Sequence, residues 1–329
     1  MVKGRAWKVV RFGDPMDVVQ LQEVSWPDPP QGQTLVRVRT AGAGLPDFLM
    51  AGGHFPLLDT PPIGLGEEVA GDVVVVAPGS RFAVGDKIMG ITAFLHGWGG
   101  YADYAYVIEQ SAARVPSTLS DEQAGGFPVG FRTAYAGLVE RASLTAGEVL
   151  LVLGAGGSAG SAAVQLGKSL GATVLAVASS AEKLALCTRF GADHVINYKT
   201  ADLTREIAEL TIGHGVDLIY DTVGGDLAAT SVTSLARNGR IAIVGLASGA
   251  TVEVNSLDML LRNYSAVGVL ASGYTPSEDA AAWDALTDLA SRRAITTPVG
   301  TVYSFADVPS MIQQQAAPPP GKSVVRISP

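Results

Sequence analysis

"VLGAGGSAGSAAVQLGKSLGA", Val152 to Ala172, joins an apolar run to an alanine-rich stretch through a cluster of glycines. The preceding "EVLLVLGA" has the unbroken Val and Leu content of a strand buried on both faces. The alanine-rich stretch has the texture of a helix. A glycine turn in this position holds the pyrophosphate of a dinucleotide. Gly154 and Ala155 make the tight turn, Gly157 lets the backbone approach the anion, and Gly160 permits close packing of helix on strand, while the helix N-terminus offers free amides. The reading requires the turn to lie inside a βαβ unit.

Downstream the requirement is met. "TVLAVAS", "DHVINY", "VDLIYDTV", "GRIAIVGLAS" and "YSAVGVLAS" come next as nearly continuous apolar runs separated by helical stretches, which with "EVLLVLGA" makes six strands of a doubly wound parallel sheet. Upstream the texture is different. "TLVRVRT" (Thr34 to Thr40) alternates Val36, Val38 and Thr40 against Arg37 and Arg39, as a half-buried strand does, and "VAGDVVVVAPGSRFAVGDKIMG" holds two strands about Pro78, Gly79 and Ser80. "GGYADYAYV" alternates likewise, so the first third predicts a barrel-like antiparallel domain. Ser120-Asp121, with Gln123 as a capping-box partner, opens a helix where the texture changes. After Ser272 come a helix in "DAAAWDALTDLASRRA" and a terminal strand in "KSVVRIS". These form a return to the first domain, the preferred reading, or a small C-terminal appendage. The expected division is 1–122 and 271–329 for one domain and 123–270 for the other.

The second sheet strand decides which dinucleotide binds. An acid at its end would accept bonds from the adenosine ribose hydroxyls. "LAVASSAEK" instead places Ser179 and Ser180 there, with Lys183 one turn on. A carboxylate repels a 2′-phosphate, whereas two hydroxyls and an ammonium attract it. The pattern points to NADP(H). The alternative is that the serines only cap the next helix and Lys183 is solvated.

Composition excludes other classes. The chain has 329 residues, 47% of them hydrophobic and 16% charged, enough for about two domains with substantial cores. Its net charge of −8, with scattered Lys and Arg, gives no basic footprint for nucleic acid. One cysteine, Cys187, rules out a disulfide framework. No long uninterrupted apolar segment predicts a membrane span or a leader, and the expected location is cytoplasmic.

"GEEVAGDVVVVAPGSRFAVGDKIMG", "GGYADYAYV", "TAYAGL", the glycine turn with "SSAEK", "FGADHVINY" and "YDTVGGD" together resemble the zinc-independent quinone oxidoreductase branch of the medium-chain dehydrogenase/reductase superfamily. The resemblance runs from about Thr34 to "GKSVVRI". It implies an α/β protein, with a GroES-like, partly open β-barrel and an inserted Rossmann domain, the cofactor lying in the cleft. It places Gly157, Ser158 and Ala159 at the pyrophosphate, with Ser179, Lys183 and Tyr198 around the 2′-phosphate beside Ser180. Thr133, Gly224 and the segment Val244, Gly245, Leu246 to Ser248 would lie along the cofactor. Tyr198 also reads as a strand-end tyrosine with its hydroxyl in water. In relatives the sixth strand often pairs across a two-fold axis, so the resemblance implies that "SAVGVL" would be a homodimer edge.

Zinc alcohol dehydrogenases of the wider superfamily carry Cys, His and Cys ligands where this chain has Gly44, Glu67 and Val129, and the four-cysteine structural lobe is absent. The four histidines share no ligand spacing, so no metal is expected. Glu67 and Glu68 suggest acid/base chemistry, although Glu68 reads more simply as structural and Glu67 as a polar residue at the cleft edge. Gly44 stands where the branch has Asn, while Asp47 is retained and Phe55 replaces a common Tyr. With Trp98, these are the substrate-pocket candidates. The implied activity is hydride transfer from NADPH to a quinone or an α,β-unsaturated carbonyl. The competing reading is an NADPH-binding protein with a structural or regulatory role.

Overall fold

A computed structural model describes residues 1–58 and 60–328. Its contacts divide the chain into two compact units, Met1–Val129 with Thr275–Pro329, and Gly130–Tyr274. The first division falls beyond the expected 122/123 because the helix Asp121–Gly125 is bonded to the first unit. Thr40 Oγ1 donates to the Asp121 carbonyl at 2.5 Å and Thr297 Oγ1 to the Gln123 carbonyl at 2.7 Å. The predicted capping box is present, Ser120 accepting from Gln123 N at 3.2 Å and donating its own amide to Gln123 Oε1 at 2.9 Å.

The first unit contains β1 (Val2–Val9), β2 (Val19–Trp26), β3 (Gln33–Ala43), β4 (Ile63–Gly64), β5 (Glu68–Val76), β6 (Lys87–Thr92) and β7 (Tyr104–Arg114). In β3 the alternation read from the sequence is observed over one stretch, Arg37 lying exposed while Val36, Val38 and Thr40 are buried. β3 pairs with both β5 and β7, and β5–β6–β7 completes the ring, so the sheet closes on itself. Inside it pack Val36, Val38, Val69, Ile88 and Val107, together with Met50 from the helix Leu45–Gly52.

The second unit holds β8 (Val149–Leu153), β9 (Thr173–Ala178), β10 (His194–Asn197), β11 (Val216–Asp221), β12 (Leu235–Ile243) and β13 (Ser265–Gly268). All pair in parallel, in the order β10-β9-β8-β11-β12-β13. The order reverses beside β8, so the turn after β8 lies at the switch point where such sheets bind ligands. Central strands are buried on both faces, which is why their sequences lack alternation; the edge strands β10 and β13 are partly exposed.

The chain then returns to the first unit with β14 (Val299–Ser304) and β15 (Lys322–Arg326). β15 pairs antiparallel with β3, from Ser323 opposite Ala43 to Arg326 opposite Thr40, so the last segment extends the barrel sheet rather than forming an appendage. No helix among the described residues is long and apolar enough to cross a membrane.

Candidate functional site

In the second unit the glycine turn takes the form its spacing predicts. Gly154 has φ +72°, and Ala155 N donates to the Val177 carbonyl of β9 at 3.1 Å, tying the turn to the sheet. Gly157 caps the helix Ser158–Ser169 without a side chain, leaving its first amides for an anion. Adjacent helices are closed differently: Ser180 accepts from Lys183 N at 3.3 Å and Asp202 from Arg205 N at 3.1 Å. A Cβ on Gly160 would strike the Gly154 carbonyl, so helix and turn touch backbone to backbone there.

Ser180 caps the helix Ala181–Arg189, its oxygen accepting from Lys183 N while its O–H remains able to donate. Lys183 is different. A Cβ on Gly156 would stand 2.5 Å from Lys183 Cβ and 2.8 Å from its Cγ, so the lysine stem lies over the turn because residue 156 is glycine. No hydrogen bond or ion pair engages its ammonium among the described residues. Ser179 is half-buried, and Tyr198 N donates to the carbonyl of its neighbour Ala178 at 3.3 Å, so the ends of β9 and β10 bring Ser179 and Tyr198 together. The Tyr198 ring packs against the Rossmann core and carries the Lys199 ammonium 5.4 Å from its centroid.

Thr133 lies on the helix Pro128–Tyr135, three residues after Gly130. A Cβ at Gly130 would stand 3.2 Å from Ser158 Oγ, so this helix face meets the start of the glycine-turn helix. Gly224, Val244 and Gly245 are gathered by Asp221, which the sequence reading missed, and Leu246 Cδ2 lies 3.1 Å from where a Gly224 Cβ would stand. Asp221 Oδ1 accepts from Val223 N at 2.8 Å and Gly224 N at 2.9 Å, and the Asp221 carbonyl accepts from Val244 N at 2.8 Å. Burial holds the Asp221 carboxyl above the usual range against these donors. The acid that ends the run Leu218 to Tyr220 in "VDLIYD" was the available signal.

In the first unit, Gly44 and Asp47 share the start of the helix Leu45–Gly52. Asp47 is 2% exposed and takes Gly44 N and Gly66 N, each at 3.0 Å, and the Tyr101 hydroxyl at 2.7 Å. Its carboxylate is therefore fully engaged in holding the fold. Phe55 stacks edge-on to Phe94 at 6.3 Å, against the main core. Trp98 belongs to a separate cluster with Trp26 and Tyr106, its ring 5.1 Å from that of Tyr106. The structure brings Gly44 and Asp47 together and sets Trp98 in a different cluster from Phe55.

Beside Asp47 lie the paired glutamates. Glu68 is 1% exposed, makes an ion pair with the buried Lys322 and accepts from Val129 N at 2.7 Å. Glu67 is only partly buried, and no hydrogen bond reaches its carboxyl among the described residues. Burial, then the Asp47 and Glu68 charges, push it up to about 8, Lys322 opposing. Tyr101 is raised well above its usual value, first by burial and then by Asp47. Cys187 is buried and pushed up to about 11, so the lone thiol is inert.

Residues 30–117 match the alcohol dehydrogenase GroES-like domain family and residues 159–291 the zinc-binding dehydrogenase family. A quinone oxidoreductase of Sus scrofa is 30% identical over 83% of this chain and 82% of its own length. The chain belongs to the quinone oxidoreductase branch of the medium-chain dehydrogenase/reductase superfamily. Another relative in the branch, the quinone oxidoreductase-like protein 2 homolog of Nematostella vectensis, is 34% identical over 72% of the chain and 64% of its own length. The Escherichia coli quinone oxidoreductase, whose structure was solved with NADPH, superposes with a TM-score of 0.89 at 27% identity, covering 98% of this chain and all of that one.

The zinc in the name of the matched family does not suit this branch member. Gly44 and Val129 supply no donor atom, which leaves Glu67 alone where three protein ligands are needed. Among the described residues no group of three or more His, Cys, Asp or Glu is arranged to hold a metal ion. The turn, by contrast, suits a dinucleotide. Its uncapped amides, the glycines that admit close approach and the unengaged Lys183 ammonium are complementary to phosphate.

Proposed function

We propose that this protein is an NADPH-dependent reductase of quinones or α,β-unsaturated carbonyls that works without a metal. The carrying observation is Lys183, whose stem rests on Gly156 and whose ammonium has no partner among the described residues. Ser158 and Ala159 would hold the pyrophosphate through their amides, Ser179, Lys183 and Tyr198 the 2′-phosphate. Thr133, Gly224 and the segment Val244 to Leu246 would line the rest of the cofactor. Bound NADPH supplies a hydride, and the chain's part is to fix the reacting partners in position and exclude water. A quinone or enone is already electrophilic at carbon, so Lewis-acid activation is not obligatory.

A second reading, NADPH binding in a structural or regulatory role, is favoured by Gly44, which carries no side chain to orient a substrate. Loss of NADPH absorbance, followed with a small quinone and a panel of enones, separates the two. Turnover on either class supports the reductase; tight NADPH binding with no turnover on any acceptor supports the second reading.

We also propose a homodimer formed along β13, a free parallel edge of the second unit. The nearby helix Ser256–Arg262 buries none of its residues, and Leu257, Leu260 and Leu261 are 62%, 70% and 68% exposed. Light scattering reads the mass. A monomer that becomes no larger with concentration overturns the dimer.

A further inference from the structure

The phosphate groups discussed above occupy one side of the parallel sheet's carboxyl edge. Ser179 follows β9, Tyr198 follows β10 and the glycine turn follows β8. In the order β10-β9-β8-β11-β12-β13, a dinucleotide anchored there would extend its other half across the ends of β11 and β12. Those ends are the segments 221–225 and 244–248, in which three of the ten residues are glycine and one, Asp221, is charged. Binding along them rests on backbone groups, and hence on how the backbone is held. The Asp221 carbonyl takes Val244 N at 2.8 Å and Gly245 N at 3.2 Å, the Thr222 carbonyl takes Ala247 N at 3.2 Å, and the Val223 carbonyl takes Ser248 N at 2.9 Å and Ser248 Oγ at 2.7 Å. Of the five amides from 244 to 248, that of Leu246 alone is left without a hydrogen bond among the described residues. Thr222 Oγ1 donates to the Leu153 carbonyl at 2.8 Å and lies 2.4 Å from where a Gly154 Cβ would stand, so the same stretch abuts the glycine turn.

What the Asp221 side chain adds is the turn at Gly224. That residue has φ +71° and ψ −164°, a region that only glycine enters readily and that persists where its surroundings over-determine it. Asp221 Oδ1 supplies the constraint by accepting from the amides on either side of the Val223–Gly224 peptide. Fixing residue 223 in turn fixes Ser248, through the two bonds to the Val223 carbonyl, and so closes the loop 244–248. The other oxygen has no such task. Asp221 is fully buried, and its Oδ2 meets no donor among the described residues. A buried oxygen left without a donor is unfavourable, which makes this carboxyl a poor choice for stability alone. The two amides require an acceptor and nothing more, so the amide oxygen of an asparagine could stand in for Oδ1.

We propose that Asp221 is a positioning residue for the nicotinamide half of the cofactor, its Oδ1 holding the Gly224 turn and, through Val223 and Ser248, the segment Val244 to Leu246. The inference rests on the cofactor reading above, and every group it uses belongs to the second unit. A dinucleotide anchored by its phosphates then finds the backbone groups for its second half already in place, and binding does not have to order them. The adenosine half depends on Ser179, Lys183 and Tyr198 and is independent of Asp221. Loss of the Asp221 acceptor therefore separates the two halves of the ligand, which a general loosening of the fold would not do.

The experiment is calorimetric titration of the full-length protein with NADPH and with adenosine 2′,5′-bisphosphate, which carries the adenosine and the 2′-phosphate but no nicotinamide. Asp221→Ala is expected to weaken NADPH by about tenfold to a hundredfold and the bisphosphate by less than about threefold. Asp221→Asn is expected to bring NADPH back to within about threefold of wild type. Equal losses for both ligands in Asp221→Ala would mean that the residue acts through the whole second unit, and no loss for either that the segments keep their shape without it. Asp221→Asn binding NADPH as weakly as Asp221→Ala would mean that the amides need more than an acceptor. Each of these overturns the positioning role while the cofactor reading stands, provided that wild type binds both ligands. A wild type that binds neither shows that the cofactor reading is what has failed. Should Asp221→Ala not fold, hydrogen exchange in wild type decides: NADPH is expected to slow the amides of Val223, Gly224 and Val244 more than the bisphosphate does, and equal exchange under the two ligands overturns the role.

Discussion

The two units prepare for chemistry in opposite ways. Around the glycine turn the second unit removes side chains, so that backbone amides and the stem of Lys183 lie where a larger residue would stand. Around Asp47 the first unit adds charges, three carboxyls and one lysine, two of the carboxyls nearly without solvent. A surface made by omission binds an anion through fixed dipoles and fails when anything is added. A cluster made by burial depends on each charge keeping its partner and fails when one is taken away.

The largest expected effect comes from adding a group. Gly160→Val drives a side chain into the Gly154 carbonyl, a backbone atom that cannot swing aside. We expect loss of the folded second unit, seen as insoluble protein or a collapsed thermal transition; a melting temperature within a few degrees of wild type breaks the omission argument. Next is a removal. Lys322→Ala leaves Glu68 buried without its cation, and urea unfolding should show a loss of about 3–5 kcal/mol. An effect below about 1 kcal/mol would mean that water replaces the lysine freely.

Lys183→Ala should weaken NADPH binding by about tenfold to a hundredfold in calorimetry, the worth of one charge-assisted bond, and leave NADH nearly unmoved. Equal losses for both would place Lys183 in the fold instead of at a phosphate. The gentlest effect is a slope. Glu67 binds its proton more tightly folded than unfolded, so its contribution is complete below the unfolded value near 4.5 and is lost as pH rises towards about 8. Wild type should therefore lose stability relative to Glu67→Gln across that window, at most about 1.4 kcal/mol per pH unit. Parallel pH curves for the two proteins would remove the raised affinity from the comparison.

Much of the second unit was legible because its signals are local. The glycine turn and the apolar runs of β8, β9 and β11 each declare themselves within about ten residues. The first unit was read less completely. β1 and β2 went unrecognised because their small sheet is half-exposed, and residues such as Lys3, Arg5, Gln20 and Glu23 dilute the alternation. The Glu68–Lys322 pair joins residues at opposite ends of the chain, and nothing beside Lys322 in "GKSVVRI" announces a buried charge. Ser180 was legible as either phosphate ligand or cap because one hydroxyl can serve both, its oxygen accepting from Lys183 N and its O–H left to donate. The contacts of Trp98 with the Trp26 and Tyr106 rings were not legible, because an isolated aromatic in a loop carries no mark of partners distant in sequence.

The buried Cys187 has a consequence for the proposed acceptors. Electron-poor alkenes alkylate thiolates, so a protein that processes them is exposed to self-inactivation at every reachable sulfhydryl. This chain has one sulfhydryl, 1% exposed on the helix Ala181–Arg189 and held in its neutral, unreactive form. The fold therefore keeps its one thiol out of reach of such reagents, and prolonged incubation with excess acceptor should leave that sulfur unmodified.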